Sequence, residues 1–325
     1  MQKTLVLATR RSALALAQSR AVRAALLARF PNLRIELKEV VTEGDRLLDR
    51  PLAEVGGKGL FVKAIEAELL ARRADFAVHS FKDLPAELPS GLAVVAVPPR
   101  EAVEDVLVSR RGESLATLPR GARVGTSSLR RAILLRRLRP DLKVVPLRGN
   151  VDTRLRKLEA GEVDAVILAR AGLVRLGLAD LAGEILDPRV FLPAIAQGAL
   201  ALEAREGDQR VGEILHALDD PPSAARVLAE RAFLRAVGGN CHVPIGAYTW
   251  WEGEILAIKG FVAAPDGTYY VEAEARGKDP EEVARALAET LLARGAARAL
   301  AGWANSAPGG RDGASSAFRP DAGGT

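Results

Sequence analysis

The chain has one cysteine, Cys241, among 325 residues, which excludes an internal disulfide framework. Its three histidines, His79, His216 and His242, show no zinc-ligand spacing with that thiol, and no metal is expected. Aromatic residues are only 4% of the chain. None falls in the most basic stretch, residues 121–154, so the stacking platforms of a single-strand nucleic-acid binder are missing there. No apolar run approaches the roughly 18 residues of a membrane-spanning helix. Val55-Gly56-Gly57-Lys58-Gly59 lacks the spaced glycines and the Lys-Ser/Thr ending of a P-loop, and no dinucleotide fingerprint or Ser/His/Asp order is convincing. The start, Met1 to Arg10, is too short and too soon charged for a secretory signal, so a cytoplasmic location is expected.

What is present is apolar bulk and positive charge. Hydrophobic residues are 48% of a length that suits two or three domains. The net charge is +5, yet Gly121 to Arg154 alone holds nine basic and two acidic residues, 9 − 2 = +7. Placement matters more than count. Val124-Gly125 reads as a strand end, and Thr126, Ser127 and Ser128 as a cap opening a helix. Arg130 and Arg131 then fall in the first turn, where cations oppose the helix dipole. Such a broken local rule marks function or strain. Converging amides, hydroxyls and guanidiniums make an anion site. Arg148-Gly149-Asn150 repeats the pattern after the next strand, with Asp152 able to cap and Arg154 in the first turn. A solvated basic face is the plain alternative.

Strands are expected over 3–8, 33–41, 75–79, 92–97, 105–109, 142–147 and 163–169, with helices between them over 13–30, 60–73 and 153–160. This alternation predicts α/β units with parallel sheets and binding residues at the strand C-ends. The opening, Ala8-Thr9-Arg10-Arg11-Ser12 and a helix, echoes Val124 to Arg131. The polar stretch 42–59 is long enough to suggest a lid. Leu192 to Gly198 is a hinge-like turn followed by a buried element, 199–204. Asp219-Asp220-Pro221-Pro222 marks a boundary, with Ser223 capping the following helix. Pro265-Asp266-Gly267 turns a hairpin between 255–263 and 268–275, Asp279-Pro280 opens a helix to Trp303, and the tail from Asn305 is expected to be disordered.

Cys241 is either a small buried hydrophobe or, in the flexible Gly238-Gly239-Asn240 turn beside cations, a low-pKa nucleophile. Asp83, beside Lys82 after a strand, is either an exposed turn carboxylate or an acid facing the arginines across a cleft. His79 and His242 are read as structural. The residues alone therefore predict two α/β units flanking an arginine-lined cleft, with a ligand carrying several carboxylates or phosphates.

Six motifs then occur in order: Ala8-Thr9-Arg10-Arg11-Ser12, Val55-Gly56-Gly57-Lys58-Gly59-Leu60-Phe61, His79-Ser80-Phe81-Lys82-Asp83-Leu84-Pro85, Val124 to Arg131, Leu147-Arg148-Gly149-Asn150 and Gly238-Gly239-Asn240-Cys241. With them the chain, from about Thr4 to Trp303, closely resembles the hydroxymethylbilane synthase (porphobilinogen deaminase) family. Phe81 stands where a methionine would also be at home, and Asn240 where glycine is expected.

The resemblance implies two periplasmic-binding-protein-like α/β domains with a cleft between them, plus a small α+β C-terminal domain. Domain 1 would take 1–97 and 198–216, domain 2 98–197 and domain 3 217–304, before a tail over 305–325. It implies condensation of four porphobilinogen molecules, with loss of ammonia, to hydroxymethylbilane. A dipyrromethane cofactor would be attached by a thioether to Cys241. Ser80, Lys82, Asp83, Thr126, Ser127, Ser128, Arg130, Arg131 and Gly149 would bind that cofactor. Arg10, Arg11, Ser12, Arg148, Arg154, Arg175 and Gln197 would bind substrate. Asp83 would be catalytic, stabilising the cationic azafulvene and the pyrrole N–H groups. A monomer with no nucleic-acid or membrane partner is expected. A non-catalytic anion receptor and a nucleic-acid binder are the rival classes.

Overall fold

The computed structural model describes residues 4–41, 62–238 and 243–304. The 42–59 stretch, Asn240, Cys241, His242 and the tail from Asn305 lie outside the described residues. Two five-stranded sheets repeat one topology. The first runs β2-β1-β3-β10-β4 and the second β7-β6-β8-β5-β9. In the first, β1 (Leu5–Arg10) lies parallel between β2 (Ile35–Val40) and β3 (Phe76–Ser80). In the second, β6 (Arg123–Gly125) lies parallel between β7 (Lys143–Val145) and β8 (Ala165–Ala169).

Neither sheet is wholly parallel, which corrects the expectation. β10 (Leu200–Arg205) runs antiparallel between β3 and β4 (Leu92–Ala96), and β5 (Asp105–Ser109) runs antiparallel between β8 and β9 (Glu184–Ile185). Each of these strands is the first its unit receives when the chain crosses over, and it enters in the reverse direction. The result is two α/β units exchanging the chain twice, with a cleft between them.

The helices follow from local chemistry. Ser12 caps α1 (Ala13–Arg29) by accepting from the Ala15 amide, and Ser128 caps α3 (Leu129–Leu138) by accepting from that of Arg131. These two helices follow β1 and β6, equivalent strands of the two sheets, so the echo in the sequence is a structural equivalence. Between them, α2 (Lys63–Leu70) covers one face of the first sheet through Ile65 and Leu69, opposite α1 and α6 (Gln209–His216). α3 and α4 (Val151–Glu159) cover the two faces of the second. Strand β8 is buried on both faces, as its unbroken Ala-Val-Ile-Leu-Ala run requires. Asp152 does not cap α4; the cap is Asn150, because the chain turns one residue earlier at Gly149. Gly149 has φ +115° and an added Cβ would lie 2.6 Å from the Thr153 side chain, so only glycine serves this turn. Among the described residues no helix is long and apolar enough to cross a membrane.

The C-terminal unit packs α7 (Pro221–Ala236) and α8 (Pro280–Ala293) on an antiparallel sheet of β11 (Ile245–Glu252), β12 (Ile255–Ala263) and β13 (Tyr270–Gly277). Three sequence readings change here. Asp220, not Ser223, caps α7, accepting from the Ser223 amide while Pro221 and Pro222 fill the first turn. The Ser223 hydroxyl instead accepts from the Arg100 amide at 2.9 Å. Gly295, at φ +91°, ends the last helix early and α9 (Ala296–Ala304) restarts it. Strand β11, which the sequence reading missed, completes the hairpin into a sheet.

One buried pair fastens this unit to the crossovers. Arg100 forks onto Glu230 of α7 at 2.8 and 2.9 Å, and both side chains are almost fully sealed. Arg100 Nε also donates to the Gln197 carbonyl, while Glu230 accepts from the Ala196 amide at 2.7 Å and from Thr249. Ala196 sits at φ +61°, a conformation that costs a non-glycine residue about 1–3 kcal/mol. The Glu230 carboxylate holds it there.

Candidate functional site

The C-ends of β1, β3 and β8 meet at a cavity of about 250 Å³ between the two α/β units. Its charged lining is Arg10, Lys82, Arg131, Arg154 and Arg175, against Asp83 as the one carboxylate among the described residues. Ser12, Ser80 and Gly149 also line it, so the structure gathers these sequence candidates into one place. Arg10 ends β1 and Ser12 caps α1. The residue between them, Arg11, faces outward and pairs with Glu39 at 3.6 Å. Asp83 stands exposed on the short 3-10 turn Phe81–Asp83 that follows β3, with Phe81 buried beneath it.

The pair Arg130–Arg131 is held differently from expectation. Both are buried, and both grip Asp105, the first residue of β5. Arg130 Nη2 meets one carboxylate oxygen at 2.7 Å and Arg131 Nη2 the other at 2.7 Å. Arg130 completes its bonding on the Leu192 carbonyl and Arg131 on that of Ile167. Burial alone would raise the Asp105 carboxyl, but the two guanidiniums bring it well below the usual carboxylate range. Asp105 thus neutralises the charge that opposes the α3 dipole. Arg130 does not line the cavity; Arg131 does, and its buried Nε has no hydrogen-bond partner among the described residues.

Gln197, fully buried, links this hub to the Phe81–Asp83 turn. Its Nε2 donates to Asp105 at 3.0 Å and to the Val103 carbonyl at 2.8 Å, and its Oε1 accepts from Lys82 at 3.2 Å. Its place is therefore behind the wall. Lys82 loses hydration here; Asp83 supports its charge, Arg131 opposes it, and the balance lowers it to about 8. Arg154 donates Nε to the Gly149 carbonyl at 2.8 Å, and burial, with Arg131 and Arg148 nearby, lowers it to about 10. Burial does the same to Arg175, against the pull of Glu101; its Nη2 reaches the Gly198 carbonyl. Burial, joined at Lys82 and Arg154 by neighbouring guanidiniums, disfavours the charge on these cations, and an anion beside them would relieve that cost.

The hydroxyls beside Arg131 are used locally. Thr126 accepts from the Ser128 amide at 3.1 Å, and Ser127 donates to the Leu147 carbonyl at 3.0 Å. Arg148 is half-buried next to the cavity wall, close enough to Arg154 to act on its charge. Cys241 lies outside the described residues, which resume at Val243, in the same apolar core as Phe81 and Leu84.

Three features escaped the sequence reading. Asp105 opened an apolar strand as its only charge, which was the available signal. Gln18, a buried amide on α1, donates to Ser80 at 2.9 Å and lines the cavity. His79 bonds fully buried Glu203 at 2.9 Å, near Glu66, whose carboxyl burial and Glu203 push up. Among the described residues no group of His, Cys, Asp and Glu could hold a metal ion.

Comparison with known proteins adds the following. A family model described as porphobilinogen deaminase, dipyromethane cofactor binding domain, matches residues 5–213, and one described as porphobilinogen deaminase, C-terminal domain, matches residues 224–293. The chain is 54% identical over 276 residues to the porphobilinogen deaminase of Sorangium cellulosum, spanning 85% of this chain and 92% of that one. It is 50% identical over 304 residues to that of Roseiflexus castenholzii, spanning 93% and 100%. Among solved structures it is similar to the periplasmic aliphatic sulphonate binding protein of Escherichia coli, at 17% identity over 73% of this chain and 71% of that one, with a TM-score of 0.37.

Proposed function

The chain belongs to the porphobilinogen deaminase family, and from that premise we propose that the arginine-walled cleft between its α/β units is where its reaction takes place. That reaction is hydroxymethylbilane synthesis: stepwise head-to-tail condensation of four porphobilinogen molecules, with release of ammonia, in tetrapyrrole biosynthesis. The observation that carries the siting is the charge of the wall: Arg10, Lys82, Arg131, Arg154 and Arg175 surround one carboxylate, Asp83. Each pyrrole brings an acetate and a propionate, so the growing product is a polyanion. Guanidiniums suit it because their planar forks meet carboxylates two bonds at a time.

The same wall fits a dipyrromethane, which carries four carboxylates. Arg131, whose Nε has no partner among the described residues, Lys82, Ser80 and the Gly149 turn would hold it, tethered through a thioether at Cys241. When bound, the group supplies the free pyrrole position on which the chain is extended. Arg10, Ser12, Arg154, Arg175 and Arg148 would hold the incoming substrate. Asp83 would face the positive charge that develops as ammonia departs, and take hydrogen bonds from the pyrrole N–H. Thr126, Ser127, Ser128, Arg130 and Gln197 act behind that surface, fixing the backbone and Arg131. Arg11 would meet substrate only after leaving Glu39. We read the chain as a cytoplasmic monomer of three domains, divided as the resemblance implies.

The experiment is the intact mass of the purified protein together with a porphobilinogen turnover assay. The expected mass exceeds the sequence mass by one dipyrromethane. Cys241→Ser is expected to show the bare sequence mass and no turnover. A Cys241→Ser protein still carrying the extra mass would rule out the attachment.

Lys82 adds a pH dependence. A free lysine titrates at about 10.4, so the value of about 8 means that in the folded protein this amine is charged below pH 8 and gives up its proton between about pH 8 and 10, where a free lysine stays charged. A carboxylate ligand prefers the charged form and restores the higher value. Affinity is therefore full below pH 8 and declines as pH rises through it, with proton uptake on binding. Dipyrromethane loading onto the cofactor-free protein should weaken between about pH 8 and 10, and Lys82→Gln should flatten that decline. A flat wild-type profile over the same range would contradict the assignment.

A further inference from the structure

Arg231 does not line the cleft, yet its guanidinium is committed to the turn that carries Lys82 and Asp83. It projects from α7 of the C-terminal unit and is 5% exposed. It donates to the carbonyls of three consecutive residues: Leu84 at 3.4 Å, Pro85, and Ala86 at 3.1 Å. Its guanidinium carbon lies 4.6 Å from the centroid of the Phe81 ring. Among the described residues no carboxylate pairs with it, and burial, with Arg235 adding to it, lowers it to about 10.

A buried cation without an anionic partner is costly, and an apolar side chain would fill the same space without that cost. What the guanidinium provides instead is geometry. Three successive carbonyls aimed at one planar fork, with a ring face beneath, restrain the backbone from Phe81 to Ala86. Asp83 is exposed and lies in the middle of that segment. The helix bearing Arg231 packs through Leu234 and Val237 into the core that also holds Phe81 and Leu84. Cys241 follows α7 in the chain.

We propose that Arg231 is a positioning residue for the condensation: it ties the Asp83 turn of the first α/β unit to the C-terminal unit and so sets where the catalytic carboxylate stands. It acts through the carbonyls of Leu84, Pro85 and Ala86 and touches no substrate. This inference rests on the function proposed above, with Asp83 as the catalytic group.

The test compares wild type, Arg231→Lys and Arg231→Met by intact mass, by kinetics well below the unfolding temperature, and by hydrogen exchange of the amides of residues 82–88. Small misplacement of a catalytic group costs up to about 10²-fold in rate, so kcat should fall by about that factor in Arg231→Met, and by less in Arg231→Lys, with KM within about twofold of wild type. All three should carry the extra mass. Exchange should quicken at Asp83, Leu84 and Ala86 and stay unchanged in α1. Should Arg231→Met not fold, Arg231→Lys decides, because an ammonium cannot serve three carbonyls and a ring in one plane. A lowered unfolding midpoint with wild-type kcat, or wild-type exchange across the turn, overturns the proposal. A wild-type protein with neither extra mass nor turnover would instead sink the functional reading, and the exchange result would still judge the link between Arg231 and the turn.

Discussion

Asp83→Asn should keep its fold and its bound cofactor and lose turnover by about 10²–10³-fold, the usual effect of removing one preorganised charged group at a reacting centre. Asp83 is exposed, so the substitution leaves no buried group unpaired and the unfolding midpoint should move little. Its neighbours explain the size of the effect. Arg10, Lys82, Arg131, Arg154 and Arg175 line the same cavity, and a cation forming among them would be opposed by their charge unless Asp83 answers it. Asparagine can still accept a pyrrole N–H bond but cannot offset that charge. The check is single-turnover ammonia release with the intact mass recorded in parallel. Release at the wild-type rate would remove Asp83 from the mechanism.

Asp105→Asn should act on stability instead. The carboxylate joins Arg130, Arg131 and Gln197, all buried. Removing one partner of a buried pair leaves uncompensated charge, and the expected loss is about 3–5 kcal/mol. Its pH dependence has a definite sign. The folded carboxyl titrates well below an unfolded aspartate, so its stabilisation is present above the unfolded value of about 3.9 and lost as pH falls through the folded one. Wild type should therefore weaken in acid below pH 4 more steeply than Asp105→Asn. Urea unfolding at pH 7 and at low pH reads both effects. Equal midpoints for the two proteins would show that Arg130 and Arg131 find other partners.

The contrast between these carboxylates shows how far residue order reaches. Asp83 stands out in the chain because it lies beside Lys82 after a strand, a local pattern, and its proposed role comes from the family resemblance. The cap at Ser128 and the strand end at Gly125 are local in the same sense and stand as read, whereas α4 is capped at Asn150 and not at Asp152. Asp105 was passed over because its meaning lies in residues that follow it much later in the chain. Arg130 and Arg131 were read correctly as misplaced cations in a first helical turn. Their remedy was invisible, since the strand carrying it runs antiparallel and joins the second sheet from the far side of a crossover.

Periodicity, caps and charge density, all properties of neighbouring residues, were enough for the paired α/β units and an arginine-rich cleft between them; the family came from the resemblance carried by six motifs in order. Which guanidiniums line the cavity and which are bound internally depended on packing. The sharing out follows from where β5, β10 and α7 return, because a buried carboxylate or carbonyl captures whichever cation lies within hydrogen-bond reach, however distant the two are along the chain.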